Sequence, residues 1–192
     1  MVDEQKKHWR VLSSRNVVKD RWMSLRADRC RTRRDAELDP YYVIESEDFV
    51  HAVVVDDEDR IVLVRQYRHG AREMSLELPG GVMDQNDGSI LAAAARELIE
   101  ETGFEADNLE LVATLSPDPA RFENRVHFVF GSGAHRTCAP SCDPTEDIEV
   151  EVIPFREALH RALTGGMAHS AHIAGLLLVA AKKRPDLVTV AR

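Results

Sequence analysis

Residues 89–103, SILAAAARELIEETG, constrain the fold of this chain most, because they spell its clearest helix, set among many strands. The alanine run has high helix propensity, Ser89 is placed as an N-cap, and Gly103 stands where a C-cap glycine belongs. Before it, VHAVVVDDEDRIVLVRQY (50–67) is two β-branched runs around an acidic turn, which predicts a hairpin. WRVLSSRNVV, RWMSLRADRC and YYVIES predict further strands within residues 8–46. After the helix, LELVATL, NRVHFVFGSG and DIEVEVIPF predict strands, with a polar loop at 132–146. FREALHRAL and SAHIAGLLLVAAKK predict closing helices. This order predicts an α+β fold with a mixed sheet sandwiched by helices.

The chain's 192 residues suffice for one domain with a sizeable core, or one domain plus a small appendage. Its formal charge of −8 argues against nucleic acid as a main partner, since phosphate backbones call for basic surfaces. An acidic protein that takes a small anion needs bridging cations. The longest apolar stretch, residues 173–181, is too short to cross a bilayer, so no membrane partner is expected. Three cysteines and an opening, MVDEQKKHWR, without an apolar core predict a reduced, cytoplasmic protein.

Residues three and four apart share a helix face, so Glu97, Glu100 and Glu101 point one way. Leu91, Ala94 and Leu98 form a separate apolar stripe that can pack on a sheet. The bland interpretation is a solvated acidic face. Two features oppose it. The glutamates lie near the negative end of the helix, where the macrodipole disfavours them. The glycine pair in LELPGG also lets backbone approach a ligand and present a carbonyl. Three carboxylates and a carbonyl suit a hard divalent cation, Mg2+ or Mn2+.

GGVMDQNDGSILAAAARELIEETGF resembles the Nudix box, in which a glycine and a glutamate precede Arg-Glu-aliphatic-any-Glu-Glu-any-Gly-aliphatic. Arg96, Glu97, Leu98, Glu100, Glu101, Gly103 and Phe104 match the second half in full. The first half departs: Gly81 to Arg96 is one residue too long, and Asp87 or Gly88 stands at the glutamate position. In the family that glutamate braces the arginine, so Asp87 or Asp84 is the candidate substitute. The resemblance implies a Nudix hydrolase with an α/β/α sandwich, the helix following a glycine pair and an N-terminal antiparallel sheet ahead of it. It also implies that Glu97, Glu100, Glu101 and the Gly80 carbonyl bind the metal, with Arg96 in the catalytic group.

The flanks are similar to the ADP-ribose and nucleotide-sugar pyrophosphatases of that family. The resemblance implies a homodimer, with residues 1–46 forming a strand region for dimerisation and the nucleoside pocket and 47–192 the hydrolase domain. Arg68 matches an arginine that touches substrate phosphate; its alternative is a surface arginine on a strand. Trp22 is a candidate for stacking on a base, with a core tryptophan as the alternative. Glu146 is the first candidate for the base that activates water and Glu149 the second. Arg121, Asn124 and Arg125 are candidates for the second phosphate or the sugar.

Some features carry less. His135, Cys138 and Cys142 have ligand types but no second Cys/His pair nearby, which argues against structural zinc. His169 and His172 are expected to cap a helix or lie on the surface, and Cys30 to fill apolar space. The expected activity is metal-dependent hydrolysis of ADP-ribose or a related nucleoside diphosphate sugar to a nucleoside monophosphate and a sugar phosphate. The alternatives are a Nudix-fold sensor that binds a nucleotide sugar without cleaving it, or a hydrolase of another nucleoside diphosphate, such as a dinucleotide or coenzyme.

Overall fold

The computed structural model describes residues 8–143 and 145–188. The chain divides into two compact units, one of residues up to Glu47 with Ser116–Arg125, the other of Asp48–Leu115 with Val126 onward. In the first, β1 (Arg10–Lys19), β2 (Ser24–Arg31) and β3 (Glu37–Glu45) form an antiparallel sheet in that order. Segment 116–125 is tied to β3: Ile44 N–H donates to the Arg121 carbonyl at 2.7 Å, and the Tyr41 hydroxyl to the Ala120 carbonyl at 2.6 Å. Cys30 is buried and unpaired, the apolar filler expected. Trp22 is the reverse of a core residue: it is 78% exposed, with the Arg21 guanidinium 4.4 Å above its ring.

The second unit holds a mixed sheet in the order β7-β4-β9-β8, built from β4 (Phe49–Val54), β7 (Gly80–Val82), β8 (Phe104–Leu115) and β9 (Val126–Arg136). Strands β4 and β9 run parallel, and the other pairs are antiparallel. A second, antiparallel sheet takes β5 (Arg60–Arg68), β6 (Glu73–Glu77) and β10 (Ile148–Pro154) in the order β10-β5-β6. The helices are α1 (Ile90–Thr102), α2 (Phe155–Thr164), α3 (Ser170–Lys183) and a short α4 (Pro185–Val188). Successive side chains of a strand face opposite ways. Accordingly Val50 packs with Ala93 and Ala94 of α1, and Ala52 and Val54 with Leu98, while Val53 joins Phe155 of α2 and Leu176 and Val179 of α3. Helices therefore cover both faces, the expected α/β/α layering.

The hairpin expected at 50–67 forms only at its tip. Val55 bridges Ile61 across the turn, but β4 then joins one sheet and β5 the other. The cause is burial. Ile61–Val64 have no exposed surface, nor do Val50, Val53 and Val54, so each run is a central strand that needs two neighbours. The apolar stripe of α1 also differs from expectation. Leu91 is exposed, while Ala94, Leu98 and Glu101 form the docked face. That rotation buries a carboxylate and leaves a leucine at the edge.

On the far face of β4, His51 is buried against His172 of α3, ring centroids 4.2 Å apart. His172 is thus neither cap nor surface residue; His169 is exposed at the helix start but makes no side-chain cap. Gly175, one turn on, explains the approach. A Cβ there would sit 2.2 Å from Cδ1 of Phe128. The Gly175→Ala change is expected to destabilise by about 1–3 kcal/mol through overpacking, seen as a lowered Tm. Burial holds His172 well below the ordinary imidazole pKa and pushes His51 down to about 4. The unfolded chain then binds protons that the folded one refuses. Stability is complete above about pH 6.5 and is lost as pH falls toward 4. Urea midpoints across that range should show the loss, with a flatter slope in His51→Asn.

Candidate functional site

The two glycines before α1 are required for different reasons. Gly80 has φ 147°, and a Cβ there would lie 2.1 Å from the Val50 carbonyl oxygen. A Cβ on Gly81 would come within 2.8 Å of both Glu97 carboxylate oxygens. Ser89 Oγ accepts from Ala92 N–H at 3.1 Å, and Gly103, at φ 72°, donates to the Ile99 carbonyl, so both caps of α1 are as expected. Loop 137–142 closes the helix end: Thr137 N–H donates to Gly103, Ser141 N–H to the Glu100 carbonyl at 2.8 Å, and Cys142 Sγ lies 3.6 Å from that carbonyl. Cys138 and Cys142 therefore belong to a backbone cap, and burial raises the Cys142 thiol rather than activating it. Among the described residues no three His, Cys, Asp or Glu side chains are gathered on one point to hold a metal.

The glutamates are not a solvated face. Glu101 is 5% exposed, and its Oε2 accepts from Gly80 N–H at 2.8 Å. Burial pushes its pKa up to about 8, with Glu97 and Glu146 adding to the rise and the Gly80 hydrogen bond and Arg68 opposing it. Burial raises Glu97 as well, with Arg96 opposing. Arg96 lies among the acids. Its Nη1 donates to Glu97 at 2.8 Å and to Glu100 at 2.9 Å, while Nε and Nη2 grip Asp87 at 2.7 and 2.9 Å. Asp87, not Asp84, is thus the partner of Arg96, and the longer first half of the motif loops far enough to deliver it. Asp84 instead accepts from Asn86 within the loop.

Arg68 pairs through Nε and Nη2 with Glu77, which has no exposed surface. Glu146 lies in the same electrostatic neighbourhood, raising Glu97 and Glu101 and helping keep Arg68 charged. Glu149 is exposed on β10 opposite Arg65, and its side chain makes no hydrogen bond or ion pair among the described residues. In the first unit a cavity of about 310 Å3 is lined by Arg26, Tyr41, Arg121, Phe122 and Arg125. Asn124 is buried and donates to the Glu47 carbonyl at 3.0 Å, which makes it a chain fastener. Sequence reasoning missed Glu77 and His51; Glu77 lay inside the quoted LELPGG, but nothing in a strand pattern marks a carboxylate as buried.

The donor set fits a hard divalent cation. All three carboxylates project from the last two turns of α1, and Glu101, buried, has no ion pair among the described residues.

A NUDIX domain model matches residues 47–172, and a nucleoside diphosphate sugar hydrolase N-terminal domain model matches residues 9–44. The chain is 33% identical over 138 residues to the ADP-ribose pyrophosphatase of Mycobacterium tuberculosis, covering 71% of this chain and 67% of that protein. It is 31% identical over 127 residues to the CMP-5'-(N-acetyl-N-hydroxy-3-aminopropyl)phosphonate hydrolase of Streptomyces rubellomurinus, covering 66% of this chain and 61% of that protein. A crystal structure of an ADP compounds hydrolase superposes with a TM-score of 0.80 at 21% identity, covering 93% of this chain and 95% of that one, a likeness of fold.

Asp87 and Asp84 are separable by mutation. Asp87→Ala removes the acceptor of two Arg96 hydrogen bonds, from Nε and Nη2, and is expected to cost about 1–3 kcal/mol. Asp84→Ala should cost less than about 1 kcal/mol, since only loop bonds are lost. Equal urea midpoints for the two variants would contradict the assignment.

Proposed function

The chain belongs to the Nudix family, and from that premise we propose that it hydrolyses the diphosphate of ADP-ribose or a related nucleoside diphosphate sugar with a divalent cation, Mg2+ or Mn2+. The observation that carries this reading is the buried Glu101 carboxylate, held by the Gly80 N–H at 2.8 Å and without an ion pair among the described residues, on the same helix turns as Glu97 and Glu100. A doubly charged ion is the counter-charge that restores its ionised form. Glu97, Glu100 and Glu101, with the Gly80 carbonyl, are the proposed ligands. When bound, the ion neutralises the diphosphate, polarises phosphorus and acidifies a bound water.

The chain's own residues divide the remaining work. Arg96 ties Glu97 and Glu100 to Asp87, which limits how the acids can splay. Glu146, whose charge acts on Glu97 and Glu101, takes the proton of the attacking water, with Glu149 on β10 the second candidate. Arg68, its guanidinium half exposed beyond Glu77, takes a phosphate oxygen. As the water oxygen bonds to phosphorus, the bridging P–O bond breaks, leaving a nucleoside monophosphate and a sugar phosphate. In the first unit Arg121 and Arg125, at the 310 Å3 cavity, support a role toward the second phosphate or the sugar. Trp22, exposed, supports a stacking role toward the base.

Strand β1 is exposed along its whole length and presents Val11, Leu12, Val17 and Val18, which supports a homodimer formed through this unit. Unpaired cysteines support a cytoplasmic location. No helix among the described residues is long and apolar enough to cross a membrane. The intact Asp87–Arg96 bracing favours hydrolysis over sensing, because the irregular first half of the motif still holds the arginine.

Incubation with ADP-ribose, other nucleotide sugars and nucleoside triphosphates, with and without Mg2+ or Mn2+, tests the proposal. Monophosphate should appear from a nucleotide sugar only with metal, and chelation should stop it. Glu101→Gln is expected to lower kcat by about two orders of magnitude or more while the protein stays folded. Metal-dependent binding without turnover would overturn the hydrolase reading.

A further inference from the structure

Residues 77–80, Glu-Leu-Pro-Gly, lead from β6 into the glycine pair and are held at four successive positions. The Glu77 carboxylate accepts from Arg68 through Nε, at 2.9 Å, and Nη2. Leu78 N–H donates to His172 Nδ1 at 2.9 Å. The Pro79 carbonyl accepts from Ala52 N–H at 2.8 Å, and Gly80 N–H donates to Glu101 at 2.8 Å. The first and last of these partners are site residues. The second comes from α3, far along the chain.

We propose that Glu77 and His172 act as a positioning pair, Glu77 aiming the Arg68 guanidinium and His172 fixing the backbone turn whose Gly80 N–H holds Glu101. This rests on the hydrolase reading for its consequence, though not for its geometry. Because Nδ1 accepts from Leu78, the proton of the neutral ring is on Nε2, which lies 3.6 Å from Glu77 Oε2. The two residues therefore share one buried polar cluster. Packing alone does not call for such a cluster. A leucine at either place would fill volume without the desolvation cost of a buried carboxylate or imidazole. What a leucine cannot do is accept the Leu78 N–H or fork onto Arg68. Both are constraints on direction: one ends at Arg68, the other at the amide two residues before the Gly80 N–H that holds Glu101. Partners behind a primary ligand typically change its affinity or activity by about tenfold to a hundredfold.

Two amide variants of His172 separate positioning from bulk. Asn keeps an acceptor near the place of Nδ1, whereas Gln moves it toward the place of Nε2. Measured on the full chain by electron paramagnetic resonance of free Mn2+, His172→Gln should weaken Mn2+ binding by about tenfold, with His172→Asn within about twofold of the parent. Glu77→Gln should raise KM for the substrate that turns over by about tenfold and leave Mn2+ binding unchanged, because Arg68 meets phosphate and not metal. Equal Mn2+ binding by the Asn and Gln variants, or a parental KM in Glu77→Gln, would overturn the pair. If both His172 variants fail to fold, the near-isosteric Glu77→Gln decides alone. Should the parent bind no Mn2+ and cleave nothing, the hydrolase reading fails separately. The pair is then judged from the 15N resonances of Leu78 and Gly80, which should stay parental in Asn and move in Gln; movement in both or neither overturns it.

Discussion

A carboxylate with 5% of its surface exposed, at the last turn of a helix, faces two unfavourable effects at once: lost hydration and the negative end of the helix dipole. In α1 that group is Glu101, and one backbone hydrogen bond from Gly80 holds it. Much of the second unit's local geometry can be traced to that contact. It brings the turn before the helix against the helix's end. It fixes the rotation of α1 so that Ala94 and Leu98 dock and Leu91 does not. It stacks Glu97 over Gly81 so closely that no side chain fits between them. The glycine pair is thus required twice over, once by backbone conformation and once by a carboxylate.

The other end of the contact depends on chain that is distant in sequence. Loop 137–142 satisfies the carbonyls of the last turn of α1, and His172 satisfies the amide just before the glycine pair. An active helix end with free carbonyls would fray, since the last turn has no intrahelical partners for them. Here the polypeptide from β9 toward β10 supplies those partners. The cysteines that resembled half a zinc site are part of that cap, which is why their spacing led nowhere.

Much was legible from local pattern. The helix at 90–102 and both its caps are written in propensity and capping chemistry, and α3 in its apolar pattern, all of which act within a few residues. The layered fold followed from the order of elements. What was not legible depended on long-range choices. Two β-branched runs around a turn look like a hairpin whether or not the strands stay paired; full burial on both faces separated β4 from β5. His172 reads as a helix-start residue until β4 and β6 arrive beside it. Asp87 could not be chosen over Asp84 from spacing, because the loop's path decides which carboxylate meets Arg96. Segment 116–125 joined the first unit through β3, a partnership that sequence order conceals.

The charge balance of the site argues for its chemistry independently of any motif. Two guanidiniums, Arg68 and Arg96, stand among six carboxylates: Glu77, Asp87, Glu97, Glu100, Glu101 and Glu146. Each guanidinium is already assigned, Arg68 to Glu77 and Arg96 to Asp87, Glu97 and Glu100. Glu101 and Glu146 have no ion pair among the described residues. Of these two, Glu101 is the buried one, and a buried carboxylate without a counter-charge disfavours the native state. The arrangement is sensible when the missing charge arrives with the substrate. A diphosphate brings negative charge, so it worsens the balance alone and corrects it only when accompanied by divalent ions. For the proposed metal-dependent hydrolysis, acids that repel one another would make metal and substrate binding interdependent.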